Sequence, residues 1–120
     1  LANLAYKRQD YDRAMDLLQL LDHDDIFLHL LTRLLLLKVY FEKKEDDLFN
    51  SYLQSFENFV RRQKNIGYHK ASYLHFIRFA KKLNLINPFD KKAIKNIRQE
   101  IQGTPTFPER KWLLEQLEQI

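Results

Sequence analysis

Apolar residues recur along this chain at steps of three and four, the spacing that lines one face of a helix, and polar breaks divide them into seven segments. The first is short, about residues 1–8. The second covers about residues 10–22, with Ala14, Leu17, Leu18 and Leu21 on one face. His23-Asp24-Asp25 interrupts the pattern, and either aspartate can cap a third helix that reaches about Lys43. A fourth opens at Glu45-Asp46-Asp47, where acid suits the helix dipole, and closes near Arg61, Arg62 and Lys64. Its expected stripe is Leu48, Tyr52, Phe56, Phe59 and Val60.

Asn65-Ile66-Gly67 marks the turn into a fifth helix over about residues 68–85, facing Tyr73, Phe76, Ile77, Ala80 and Leu83 inward. The spacing predicts a sixth helix from Pro88, because proline tolerates a first turn and disfavours helix in the residue before it. Ala93, Ile94, Ile97 and Ile101 stripe that helix, and Gly103 is placed to stop it. Thr106 and Glu109 have capping-box spacing and open the seventh. Trp112, Leu113, Leu117 and Ile120 should turn inward there, with Glu115 and Glu118 in water.

One stretch returns. Tyr6-Lys-Arg-Gln-Asp-Tyr-Asp-Arg-Ala14 is echoed 34 residues later by Tyr40-Phe-Glu-Lys-Lys-Glu-Asp-Asp-Leu48. A period of that length, made of helix–turn–helix units, is the mark of stacked helix pairs. The first copy sets Leu1-Ala2, Ala5, Ala14 and Leu18 at the key positions; the second sets Leu35-Leu36, Val39, Leu48 and Tyr52. Small residues there let paired helices approach and large ones fill the gap. This pattern resembles the tetratricopeptide-repeat family over about half the chain. Leu36 stands where that family has a small residue, Tyr6 and Tyr40 fall one place beyond its aromatic, and its closing proline is missing.

The resemblance implies an all-α domain, a right-handed superhelical stack of antiparallel helix pairs. Residues 1–64 would supply two pairs, the first truncated, residues 65–103 an irregular third, and residues 104–120 a capping helix. It also implies a scaffold, of a kind commonest in bacteria, that holds a peptide or partner helix in a concave groove. The groove-facing positions are then Asn3, Tyr6 and Lys7 in the first copy and Arg33, Tyr40 and Phe41 in the second, with Arg78 and Lys82 extending the line.

Composition narrows the picture. Two glycines and three prolines in 120 residues suit helices joined by short turns. With no cysteine, disulfides and thiolate metal sites are excluded, and a reducing, cytoplasmic setting is expected. The densest apolar run, Leu34 to Leu37, is bracketed by Arg33 and Lys38, far short of the roughly 18 residues of a membrane span. The chain opens on Leu1 in a helical pattern, as a piece of a longer protein would.

Charge is unevenly spread. Residues 1–60 hold seven Lys/Arg against eleven Asp/Glu, and residues 61–120 hold thirteen against five. Arg78, Lys81 and Lys82 can share a helix face, as can Lys91, Lys95 and Arg98. Such a surface suits an acidic protein or peptide; the alternatives are nucleic acid or another polyanion, a plain solvated face, and homo-oligomers pairing the acidic half of one copy with the basic half of another. Aromatics that could stack on bases are Phe41, Tyr68 and Phe79.

Catalytic chemistry has no visible apparatus, and the reading is of a non-enzyme. His69 and His75 stand six apart on different helix faces, so metal ligation is not expected. Asp22, Asp24 and Asp25 start like a calcium loop but lack its glycine and closing glutamate. Ser51, Ser55 and Ser72 sit inside expected helices with no activated base marked out for them, and no phosphate-cradling glycine loop is present. No cofactor is expected.

Overall fold

The computed structural model describes residues 26–64 and 66–120, together with Asp12. Among these residues the protein is all-helical: five helices and no strand. They are α1 (Ile26–Glu42), α2 (Asp46–Arg62), α3 (His69–Leu85), α4 (Lys91–Gly103) and α5 (Arg110–Glu118). The first two expected helices, over about residues 1–8 and 10–22, lie outside the described residues. The chain groups into two compact units, one ending at Tyr52 and the other spanning Leu53–Ile120.

In the first unit α1 is apolar on nearly every side. Leu30, Leu34 and Leu37 are buried, and so are Leu36 and Val39 around the helix from them. Thr32 is buried too, and its hydroxyl donates to the Leu28 carbonyl at 2.8 Å, which removes the cost of hiding a polar group. The helix ends in a left-handed residue, Lys44 (φ 58°). There the Glu45 N–H donates to the Tyr40 carbonyl at 3.1 Å and the Lys44 N–H to the Phe41 carbonyl at 3.0 Å. That is a Schellman ending, with lysine where glycine would sit without strain.

Helix α2 begins with Asp46 and Asp47 and ends with Arg61 and Arg62, so both ends complement the helix dipole as expected. Its buried stripe is Phe49, Leu53, Phe56 and Val60. The expected stripe is therefore corrected by one position at its start: Leu48 is exposed, and Phe49 takes its place with its ring edge-on to Phe41 at 5.4 Å. Tyr52 and Phe59 are half-buried.

In the second unit α3, α4 and α5 pack against one another, and the second half of α2 joins α3. Phe56 meets Tyr73 edge-on at 6.3 Å, and burial pushes the Tyr73 phenol above its ordinary pKa. Phe76, Ile77, Phe79, Ala80 and Leu83 are buried on α3, Ile97 and Ile101 on α4, and Trp112, Leu113 and Leu117 on α5. Each large side chain hidden this way contributes about 1.5–3 kcal/mol. Gly67 (φ 56°) supplies the left-handed turn before α3, a conformation strained for other residues.

Two boundaries differ from the sequence expectation. Helix α4 does not start at Pro88. Asp90 caps it instead, its carboxylate accepting from the Ala93 N–H at 3.0 Å, because a carboxylate satisfies an orphan donor that proline merely tolerates. The helix runs to Gly103, and Thr104 in extended backbone follows it. The Thr106–Glu109 capping box does not form: residues 105–107 carry no regular structure, Phe107 stacks on Phe79 at 5.5 Å, and α5 starts after Glu109, itself left-handed (φ 64°). Ile120 is exposed, not inward.

Candidate functional site

Among the described residues, Arg110 makes the second unit's most connected polar contact. Its guanidinium donates to the Ile101 carbonyl at 3.0 Å, to Gln102 at 3.0 Å and to Thr104. A cation at the end of a helix meets carbonyls that have no helical partner, so the first residue of α5 caps the end of α4. Lys70 does the same for α2, donating to the Arg61 carbonyl at 3.0 Å. These contacts hold the frame on which a surface groove is built.

That groove lies along α2 and α3, with a volume of about 590 Å³. Ala71, Leu74 and Ile77 give it apolar walls, and Arg61, Arg78, Lys81 and Lys82 surround them with cations. Among the described residues Glu57 is its one carboxylate, with His75 beside it. Only 13% of the Glu57 side chain is exposed. It accepts from Lys81 and from Arg61, the latter through Nε at 3.0 Å and Nη2 at 2.9 Å. The Lys81 hydrogen bond above all holds this carboxyl below the usual glutamate range, Arg61 adds to the effect, and partial burial opposes it. Its charge is thus answered inside the protein.

Lys82 pairs with Glu100 of α4 at 2.9 Å, which lowers the Glu100 carboxyl in turn. Arg78 lies exposed with its guanidinium 4.6 Å from the centre of the Phe79 ring. It can present its face to a ligand while the ring supports it from beneath. No family model, curated protein or solved structure matches this chain. Geometry and chemistry are therefore what speak for function.

A second, smaller groove of about 360 Å³ runs between α4 and α5, with Lys91, Ile94, Lys95 and Arg98 on its α4 side and Leu117, Glu118 and Ile120 opposite them. Among the described residues no ion pair engages these three cations. Both sets of basic residues expected to share a helix face therefore do share a groove.

The eight expected partner-binding residues fare differently. Asn3, Tyr6 and Lys7 lie outside the described residues. Arg33, Tyr40 and Phe41 belong to the first unit, Arg78 and Lys82 to the second. Tyr40 is only 8% exposed and meets Tyr52 edge-on at 5.6 Å. Phe41 is half-buried against Phe49, and Arg33 is half-buried with its guanidinium 6.0 Å from the Tyr52 ring. Of the expected stacking aromatics, Phe79 is fully buried and Phe41 half-buried, whereas Tyr68 is 80% exposed. Glu57 and Arg61 were not among the expected residues. Their spacing of four on one helix was the available signal.

Among the described residues no cluster of three or more His, Cys, Asp or Glu could hold a metal ion, and no helix is long and apolar enough to cross a membrane.

Proposed function

We propose that this chain is a binding module, part of a repeat-type helical scaffold, whose α2–α3 groove holds an acidic segment of another protein. One observation carries the reading: an apolar channel edged by four cations and a single carboxylate that the protein itself neutralises. A partner helix with leucines along one face and glutamates flanking them would meet both features, the leucines on Ala71, Leu74 and Ile77 and the carboxylates on Arg78 and, in competition with Glu100, on Lys82. No catalytic role is proposed.

Fluorescence anisotropy with a labelled helical Leu/Glu peptide tests this. Arg78→Glu should weaken binding by at least tenfold, because one like-charge contact replaces an opposite one. The same peptide with lysine for glutamate should not bind. Equal affinity for both peptides, or for both proteins, rejects the groove.

Nucleic acid is the second reading, favoured by the excess of thirteen basic over five acidic residues after Val60. Its signature is a steep fall of affinity with salt for a generic oligonucleotide, set by the number of phosphates contacted. The apolar walls of the groove favour the peptide.

A further inference from the structure

At the junction of α3 and α4 two large apolar side chains stand almost wholly in water. Leu85 is 83% exposed and Phe89 is 89% exposed. They are not on a loose segment. The Phe89 N–H donates to Asn87 Oδ1 at 2.9 Å, the Asp90 N–H donates to the Asn87 carbonyl at 3.0 Å, and Asp90 caps α4 through the Ala93 N–H. A turn closed by three hydrogen bonds holds the phenyl ring away from the core.

Cations follow at once. Lys91, Lys92 and Lys95 are exposed on the first turns of α4, and among the described residues none is in an ion pair. Asp90 is the one acid between Lys81 and Arg98, and its carboxylate already serves the helix cap. An apolar tip followed by exposed lysines matches the boundary of an anionic bilayer, where aromatic and leucine side chains enter the acyl edge and lysines stay among the headgroups. A protein partner would need a pocket shaped to receive a projecting phenyl ring and leucine. A lipid surface takes a projection without one.

We propose that the Leu85–Phe89 turn is a contact site for an anionic lipid surface, reversibly placing the second unit against it. This goes beyond the groove, uses different side chains, and stands or falls separately from peptide binding.

The test is co-sedimentation of the full chain with vesicles of phosphatidylcholine alone and of phosphatidylcholine mixed with phosphatidylserine. Binding should require phosphatidylserine. The double variant Leu85→Ser, Phe89→Ser keeps every charge and should lose about tenfold or more, since a buried Phe or Leu is worth that much in partitioning. Lys91→Gln with Lys95→Gln should cost roughly tenfold as well. Phe89→Trp, which keeps an apolar ring, should bind and show, only with anionic vesicles, a blue shift in emission that the parent lacks. Helical circular dichroism equal to the parent's confirms that each variant is folded. Undiminished binding by the double serine variant would mean plain electrostatic adsorption and overturn the proposal. Equal binding to both vesicle types, or an unshifted emission from the Phe89→Trp variant, would overturn it too. So would loss of peptide binding, but not of vesicle binding, in the serine variant, which would assign the turn to a protein partner.

Discussion

Eight cations of the second unit fall into two groups that differ in what they touch. Arg61, Lys70, Lys81 and Arg110 end on a carboxylate or on helix-end carbonyls: Arg61 pairs with Glu57 within α2, Lys70 and Lys81 tie α3 to α2, and Arg110 ties α5 to α4. Lys91, Lys92, Lys95 and Arg98 on α4 end, among the described residues, on no acid. The first group is part of the frame; the second creates an outward potential. A net charge alone does not separate these jobs. Removing a member of the first group should cost stability, and removing one of the second should cost only what approaches from outside.

The largest effect is expected at Phe79, whose ring stacks on Phe107 and has the Arg78 and Lys82 cations 4.6 and 5.9 Å from its centre. Phe79→Ala should lower stability by about 3–5 kcal/mol in urea unfolding, and it should take the groove's cation support with it. Next comes Arg110→Ala, which leaves helix-end carbonyls without their charged donor and should cost about 1.5–3 kcal/mol. If it costs no more than Lys92→Ala, the division into two groups is wrong.

Glu57→Gln should cost about 1 kcal/mol at neutral pH, as its cation partners are largely solvent-exposed. The folded carboxyl has a lowered pKa, so its contribution is complete above the ordinary glutamate value and disappears as pH falls through the folded one. Parent and variant should therefore converge in stability in acid; a gap that persists there would rule out the ionic explanation. The smallest effect belongs to Lys91→Gln with Lys95→Gln, within about 0.5 kcal/mol, because exposed unpaired side chains hold nothing in place. Thermal melts of parent and variant side by side would check it.

Much of this was legible in the chain. Periodicity placed all five described helices, and the charges at Asp46, Asp47, Arg61 and Arg62 marked the ends of α2 because dipole complementarity is a local property. Most of what failed depended on contacts outside the helix concerned, the local Asp90 cap of α4 apart. Leu48 and Phe49 are both apolar, and the one that turns inward is the one that meets Phe41. Thr106 and Glu109 have the spacing of a cap, yet Phe107 must reach Phe79, and that keeps the backbone extended past the point where the box would close. Phe79 itself falls off the expected α3 stripe and is buried because the loop before α5 covers it. In the groove, Arg78 and Lys82 could be read from helix geometry. That Glu57 would be neutralised could not, since Lys81 lies 24 residues away.

The clasp of Arg110 on the end of α4 has a dynamic consequence. At nine residues, α5 is too short to persist alone, and its first side chain satisfies carbonyls of its neighbour. Fraying of either end exposes the other, so both should open together as one cooperative block. Native-state amide exchange should then give Ile101 through Leu113 a shared opening free energy, with no independent unzipping of the C-terminal helix.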